Sequence, residues 1–272
     1  MLDPSISSCS IEYPKTETLF DRDPQTHRVI VGAIRCPEFE LVKRWLVTEK
    51  IDGTNIRISL EMASSSDMWR VCFYGRTSAA QIPTFLLDYL QQTFTLEKML
   101  RLCRGRENCE KCHGAGWSGL GIRGLVRCDC VPIYPLTLYG EGYGPKIQKG
   151  GGNYRDDPSF RLFDVRVGNK WLDWDAVKGI AGRLEIKPVP AFYTEDFENA
   201  AKITGLTFLD MVVELVRPPG FNSSVAQTDR PELNWNTTWI PAEGIVARTD
   251  PYLYDWRGRP LKFKLKTKDF PE

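Results

Sequence analysis

The chain has 272 residues, 42% of them hydrophobic and 26% charged, which is enough apolar material for one sizeable core or for one domain with a small insert. Its 36 basic and 35 acidic residues give a net charge of +1, so any contact with nucleic acid must come from a local basic face. Charges interrupt the apolar runs, and the N-terminus lacks a signal-peptide pattern. We therefore expect a cytoplasmic protein with no membrane-spanning segment.

The first part of the chain predicts strands followed by a helix. Residues 1–40 are rich in turn formers and are predicted to be a lead-in segment. The sequence WLVTEK, ending at Lys50, is followed by an IDGT turn and by NIRISLEM, whose alternating apolar residues are typical of a strand. WRVCFYG is predicted to be the next strand, and residues 83–102 begin at a proline and show the spacing of a helix.

The second part of the chain, after a change of composition at residues 103–130, predicts more strands than helices. PLTLYGEGYG, SFRLFDVRV, EGIVART and LKFKLK favour strands, whereas DWDAVKGIAGRL and TEDFENAAKITG favour helices. The predicted fold class is α+β, with antiparallel sheets and flanking helices.

Five of the eight cysteines lie within residues 103–130. Two close pairs separated by a glycine-rich loop have the ligand spacing of a tetrahedral zinc knuckle: Cys109, Cys112, Cys128 and Cys130. Thiolates favour Zn²⁺ over Mg²⁺, so the predicted site is structural. Cys103 and His113 are further candidate ligands, and a loop of reduced thiols is the alternative.

Lys50 ends a predicted strand beside an Asp-Gly turn. A strand end holds a side chain rigidly, and a tight turn leaves room for a ligand. An amine is a nucleophile only after losing its proton, which neighbouring cations or desolvation would favour. Taken alone, the Lys-x-Asp-Gly sequence favours a hairpin turn with a solvated lysine.

The C-terminal sequence LKFKLK strengthens the case for chemistry at Lys50. In a strand, Lys262, Lys264 and Lys266 share one face, which could neutralise a triphosphate and stabilise a phosphoryl-transfer transition state. Glu141 and Glu243 each stand beside a glycine and could hold a hard cation together with phosphate oxygens. The alternatives are an amphipathic edge strand and two surface glutamates.

Six sequences, in the order EKIDGTN, FYGRTS, YGEGYG, FRLFDV, EGIVAR and LKFKLK, resemble the core motifs of the covalent nucleotidyltransferases. The sequences of these motifs are most similar to those of the phage-type ATP-dependent RNA ligases. The resemblance implies one nucleotidyltransferase (adenylyltransferase) domain over residues 1–272, interrupted by the zinc-knuckle-like insert at 103–130. It also implies three steps: adenylylation of a lysine, transfer of AMP to a 5′-phosphate, and attack by a 3′-hydroxyl.

The resemblance also implies a role for each matching residue. The implied catalytic residues are Lys50 as the nucleophile, Glu141 at the ribose or at a metal-bound water, Glu243 at Mg²⁺ or Mn²⁺, and Lys264 and Lys266 at the α-phosphate. The implied ATP-binding residues are Glu49 near the adenine, Asp52, Gly53, Asn55 near the phosphates, Arg76, Gln148, Phe163 stacked on the adenine, Asp164 and Arg248. Arg248 stands where the family often has lysine, which makes its role the least defined.

The implied substrate is RNA with 5′-phosphate and 3′-hydroxyl ends. Ligases of this superfamily usually carry a further domain after the last motif, whereas this sequence ends at Glu272. Two expectations fit this sequence: a minimal ligase, or a ligase that needs a partner such as an accessory protein or a repair kinase/phosphatase. The alternatives are a DNA ligase, a capping-type guanylyltransferase, or an inactive zinc-containing module that only binds nucleic acid.

Overall fold

The computed structural model describes residues 11–62, 69–102, 110–112, 117–121, 124–128, 136–193 and 206–270. The chain forms two compact units. The first contains Thr54–Gly142, Pro158–Pro188 and the described end of Met1–Tyr13, and the second contains Pro14–Gly53, Tyr143–Asp157 and Val189–Glu272. The single domain with an insert stays a prediction.

The strands in the described residues are short, and most belong to two sheets. In chain order they are β1 (Glu17–Thr18), β2 (Phe20–Arg22), β3 (Val29–Ile34), β4 (Trp45–Lys50), β5 (Thr54–Met62), β6 (Trp69–Tyr74), β7 (Trp117–Gly121), β8 (Gly124–Arg127), β9 (Leu136–Tyr143), β10 (Ser159–Val167), β11 (Lys170–Trp171), β12 (Lys187–Pro188), β13 (Ala191–Tyr193), β14 (Gly244–Thr249) and β15 (Lys262–Lys266).

The helices in the described residues are few and mostly short. They are α1 (Thr84–Thr93), α2 (Leu96–Leu100), α3 (Gly151–Tyr154), α4 (Trp174–Leu184), α5 (Phe208–Val216) and α6 (Ser224–Asp229). Four of them begin at a side-chain cap, because Thr95, Asp173, Thr207 and Ser223 each accept a hydrogen bond from a backbone N–H three residues further on.

The first unit is built on a six-stranded sheet in the order β11-β10-β9-β5-β6, with β12 paired to β10. β5 and β9 are antiparallel, and β9 lies in the middle of the sheet. Gly140 on β9 allows close packing, because a Cβ there would stand 2.1 Å from the ring of Phe160 and 2.4 Å from the carbonyl oxygen of Arg161. This glycine is therefore required by the sheet rather than by a turn.

The second unit is built on a five-stranded sheet in the order β1-β15-β14-β4-β13. One face of this sheet is covered by α5 and by the segment that holds β1–β3, and the resulting core includes Trp45, Val213, Ile245, Phe263 and Leu265. On β15 the buried Phe263 and Leu265 alternate with lysines, as expected for a strand whose apolar face packs on a core.

The predicted α+β class is confirmed, since sheets dominate and helices flank them. The sheets are mixed rather than antiparallel throughout, because β1 pairs with β15 and β10 with β12 in parallel. The strands predicted from WLVTEK, NIRISLEM, WRVCFYG, PLTLYGEGYG, SFRLFDVRV, EGIVART and LKFKLK are all present, and DWDAVKGIAGRL forms α4. The helix predicted over 83–102 is two helices, because the chain leaves helical geometry at Phe94 and Thr95 caps a new helix. The helix predicted at 194–205 lies outside the described residues.

The lead-in segment predicted for residues 1–40 is more ordered than expected in its described part. It contributes β1 to the sheet of the second unit, and β2 and β3 form a two-stranded sheet of their own. Helix α5 has no counterpart among the predicted elements. Its capping box, in which Thr207 and Asp210 bind each other's backbone N–H, was a signal that the sequence did contain.

Candidate active site

The amine of Lys50 belongs to a charged group in the second unit, with the carboxylate of Glu243 at its centre. Lys50 Nζ donates a short hydrogen bond to Glu243 Oε2, and Lys266 Nζ lies 2.6 Å from Glu243 Oε1. The three side chains are mostly buried, with exposed fractions of 20%, 13% and 21% for Lys50, Glu243 and Lys266. Three side chains predicted as catalytic are thus in direct contact, and we call this group the Lys-Glu-Lys triad.

The strand register explains why the triad forms. Gly244 is the direct partner of Lys50 on β4 and of Lys266 on β15, so Glu243, one residue earlier, lies between the two lysines. Gly244 has φ of +150°, and a Cβ there would stand 2.0 Å from the carbonyl oxygen of Leu265. Only glycine meets both conditions, which accounts physically for the Glu-Gly sequence.

The Glu243 carboxylate is held ionised by its neighbours. Burial raises the pKa of Glu243, but the ammonium groups of Lys50 and Lys266 outweigh burial and bring the pKa below its ordinary value of 4.5. The result is a buried anion between two cations. One carboxylate combined with substrate phosphate oxygens is a typical ligand set for Mg²⁺ or Mn²⁺, so this residue fits the divalent cation that the sequence resemblance implies.

Glu49, the residue before Lys50, is buried and its carboxylate is engaged by the start of α6. The hydroxyl of Ser223 donates to Oε1 at 2.5 Å, and the backbone N–H groups of Ser224 and Val225 donate to Oε2 at 2.9 and 3.1 Å. Glu49 therefore fastens the first turn of α6 to the strand that carries Lys50. Its implied position near the adenine stays a prediction.

The Asp-Gly turn after Lys50 is held by a glycine-rich segment. Gly150 N–H donates to Asp52 Oδ2 at 3.0 Å, and Asp52 N–H donates to the Tyr154 hydroxyl at 3.2 Å. Burial raises the pKa of Tyr154, so this hydroxyl stays protonated at neutral pH. Gly53 continues the turn with its N–H directed to the carbonyl of Ile51, and the side chain of Gln148 is exposed.

The lysine row on β15 has the predicted alternation, but its members occupy different environments. Phe263 and Leu265 are fully buried, and Lys264 is half-buried. Lys262 is buried, with 4% of its surface exposed, and donates to the carbonyl oxygen of Pro14 at 3.0 Å. Lys262 is therefore a structural lysine and does not line a groove, which corrects the expectation of three equivalent lysines.

Arg248 is buried four residues along β14 from Gly244, about 13 Å by strand geometry. Its guanidinium donates to Asp250 at 3.1 Å and to the carbonyl of Thr249 at 3.0 Å, and it lies 4.5 Å from the ring centroid of Tyr252. These contacts give Arg248 a structural role at the end of the strand, and ATP binding by it stays a prediction.

The first unit carries the other predicted ATP-binding residues. Asn55 on β5 is the direct partner of Glu141 on β9, so the two side chains are neighbours on the sheet. The side-chain oxygen of Asn55 is buried with no hydrogen-bond partner in the part of the chain that the structure describes. A buried acceptor of this kind suits a site that binds a ligand. Arg76 is exposed on the loop after β6.

Phe163 and Asp164 lie beside an aromatic residue that the sequence analysis did not select. The Tyr13 ring packs edge-on against Phe163, with ring centroids 5.1 Å apart, and its hydroxyl donates to Asp164 Oδ2 at 2.5 Å. Tyr139 and Trp171 complete the cluster around Tyr13. No motif pointed to Tyr13, because it lies in a segment with no strand or helix pattern.

The predicted zinc ligands are described only in part. Cys112 and Cys128 are buried, whereas Cys109, Cys130, Cys103 and His113 lie outside the described residues. Within the described residues no group of three or more His, Cys, Asp and Glu side chains could hold a metal ion. The zinc site therefore stays a prediction. No helix among the described residues has the length and apolar character needed to cross a bilayer.

The fold matches RNA ligase structures from Naegleria gruberi. A mutant with ATP and Mn has a TM-score of 0.54 and 15% identity, covering 96% of this chain and 59% of that one. An apo mutant has a TM-score of 0.54 and 15% identity, covering 94% of this chain and 56% of that one. A mutant with AMP and Mn has a TM-score of 0.53 and 14% identity, covering 95% of this chain and 56% of that one. At these identities the likeness shows the fold. The chain spans somewhat more than half the length of these proteins.

Curated protein sequences give no significant match. The model of the family described as RNA ligase, in contrast, matches residues 43–264, which is most of the chain. That range contains five of the six quoted motifs in full and extends into the sixth, LKFKLK, so the resemblance inferred from them is confirmed. The chain belongs to the RNA ligase family.

Proposed function

We propose that this chain catalyses ATP-dependent RNA ligation and that Lys50 carries the AMP. The observation that carries the proposal is the Lys-Glu-Lys triad, in which a partly buried amine is held beside a carboxylate and a second cation. A solvated lysine in a hairpin turn would have no reason to be enclosed in this way. The triad therefore favours a nucleophile over the simple turn.

In the first step the Lys50 amine, after losing a proton to solvent, attacks the α-phosphorus of ATP. A nitrogen–phosphorus bond forms, and the bond from the α-phosphorus to the bridging oxygen breaks. Pyrophosphate leaves with the electron pair, so the products are a lysyl phosphoramidate of AMP and pyrophosphate. The ammonium groups of Lys264 and Lys266 stabilise the negative charge that develops on the phosphate oxygens.

The residues present suit the nucleotide and its cation. The buried acceptor of Asn55 and the ring of Phe163 support roles in ATP binding, and Glu243 would hold Mg²⁺ or Mn²⁺. When bound, the cation supplies Lewis-acid stabilisation of the phosphate charge. The similar Naegleria gruberi ligases were determined with ATP or AMP and Mn, which supports the same ligands here.

The second and third steps use the same groups. AMP passes from Lys50 to the 5′-phosphate of RNA, and a 3′-hydroxyl then attacks that phosphate with AMP as the leaving group. Each step is a phosphoryl transfer, so one arrangement of cations can serve all three. These steps, Glu141 at the ribose, and an accessory protein or repair kinase/phosphatase in the cytoplasm are parts of the proposal.

Mass spectrometry of the intact protein after incubation with ATP and Mg²⁺ tests the proposal. We expect the mass of one adenylyl group to be added, and peptide mapping should place it on Lys50. Lys50→Arg keeps the charge beside Glu243 but removes the nucleophile, so it should gain no mass. Lys43→Arg, on an exposed residue of the same segment, is the matched control and should be labelled like the wild type.

The alternatives predict different results in the same assay. Labelling by GTP in place of ATP would indicate a guanylyltransferase, and sealing of nicked DNA in preference to nicked RNA would indicate a DNA ligase. A wild-type protein that never gains a nucleotide would be an inactive nucleic-acid-binding module, and the proposed function would be wrong.

A further inference from the structure

The loop between β14 and β15, residues 250–261, carries the most exposed tryptophan in the described residues. Trp256 is 79% exposed, and its neighbours Leu253 and Tyr254 are 50% and 48% exposed. The guanidinium of Arg257 lies 4.4 Å from the centroid of a Trp256 ring. The loop thus presents a flat aromatic surface together with a cation, and the exposed indole does not pack in the hydrophobic core.

This aromatic surface is rigidly supported. Asp255, which is buried, accepts hydrogen bonds on Oδ1 from the backbone N–H groups of Arg257 and Arg259 at 2.9 and 2.8 Å. Its Oδ2 accepts from the Arg259 side chain at 2.8 Å, and Gly258 supplies the left-handed turn with φ of +73°. A bridge between Tyr254 and Pro260 closes the loop. The backbone on either side of Trp256 is therefore held in place before any ligand arrives.

The charge on the loop favours an anionic ligand. Asp255 and Arg259 neutralise each other through their ion pair. Arg257 has no carboxylate partner among the residues that the structure describes, so its charge remains available. An aromatic plane combined with an available guanidinium is the arrangement that binds an unpaired base and its phosphate, since the base stacks and the phosphate is neutralised.

The loop lies at the end of the sheet opposite the triad. Gly244 pairs with Lys50 and Thr249 pairs with Trp45, so β14 runs for about 17 Å from the nucleophile towards the loop. A group at this distance cannot take part in the phosphoryl transfers. It can hold a nucleotide several positions away from the reacting end.

We propose that Trp256 and Arg257 bind an unpaired nucleotide of the RNA substrate, with its base stacked on the indole and its phosphate at the guanidinium. The inference rests on the proposed function for the identity of the ligand. It names a second RNA contact, outside the group that carries the chemistry.

Binding of a labelled single-stranded RNA oligonucleotide, measured by fluorescence anisotropy, tests this inference. Trp256→Ala should weaken the affinity by about 5- to 150-fold, which corresponds to the range for one stacked base. Trp256→Phe should keep most of the affinity, because the plane remains. Arg257→Gln should reduce the slope of log K against log salt by about 0.7, the value for one phosphate contact on a single strand.

The control is Trp239→Ala, which removes an indole that is 54% exposed and lies outside the loop. It should bind RNA like the wild type. The inference is wrong if wild-type protein does not bind the oligonucleotide, if Trp256→Ala binds as wild type does, or if both alanine variants lose affinity equally. A loop that instead contacts a protein would give the second of these results.

Adenylylation of Lys50, measured in parallel by mass spectrometry, separates this inference from the proposed function. Trp256→Ala should take up AMP at the wild-type rate, because the loop does not touch the triad. Normal adenylylation with unchanged RNA affinity overturns the RNA contact alone, whereas absent adenylylation of the wild-type protein overturns the proposed function.

Discussion

Replacing Glu49 by alanine should destabilise the second unit by about 3 kcal/mol. The variant removes the acceptor of three hydrogen bonds that fasten α6 to β4. Ser224 is exposed, so water can replace the acceptor for its N–H, but the Ser223 hydroxyl and the Val225 N–H lie on buried residues. Leaving two such groups without a partner costs roughly 1–3 kcal/mol each, and partial relaxation of the short helix reduces the sum.

Urea unfolding monitored by circular dichroism measures this effect. With a slope of roughly 3 kcal/mol per molar urea for a chain of this size, the midpoint should fall by about 1 M. Glu214→Ala is the control, since it removes an exposed glutamate of α5 that forms an ion pair with the exposed Arg217. Its effect should stay within about 0.5 kcal/mol. If the two variants unfold at the same urea concentration, the carboxylate of Glu49 does not hold α6.

Three further perturbations have defined outcomes. The ion pairs of Glu243 stabilise the fold fully above its ordinary carboxyl pKa of 4.5 and are lost as pH falls through the lowered pKa of the folded state, so Glu243→Gln should lose stability less steeply in acid urea titrations. Gly140→Ala should lower the free energy of unfolding by about 3 kcal/mol, because the new methyl group would overlap its neighbours. Gly179→Ala, in the open interior of α4, should raise the free energy of unfolding by about 0.5–1 kcal/mol. Urea midpoints that shift in the same direction for both variants would contradict this prediction. Native mass spectrometry should find one Zn²⁺ per chain that Cys112→Ser releases, and an unchanged metal content in that variant would contradict the predicted site.

Strand β5 could be predicted because apolar and polar residues alternate along it. Ile56, Ile58 and Leu60 on β5 are all buried, as their spacing indicates. Helix α5 was missed because FLDMVVELV is apolar almost throughout, and a short apolar run does not distinguish a helix from a buried strand. The first strands were missed because β1 and β2 are only two and three residues long.

The Lys-Glu-Lys triad could be predicted only from the order of the six motifs along the chain. The sequence places Lys50 and Glu243 almost 200 residues apart, and no local pattern shows that their strands are neighbours. The sequence also could not predict that α6 binds the carboxylate of Glu49 or that Lys262 is buried against Pro14. Both depend on which backbone groups a folded chain brings close, and periodicity carries no such information.

Gly244 on β14 pairs with residues of both β4 and β15, so it fixes the positions of these three strands relative to one another. Because its backbone touches β15 and faces β4, the spacing between amine and carboxylate is fixed by main-chain geometry rather than by side-chain choice. Substitutions elsewhere on the surface leave that spacing intact. The loop at residues 250–261, at the far end of the sheet, can therefore change in sequence without altering the spacing between amine and carboxylate.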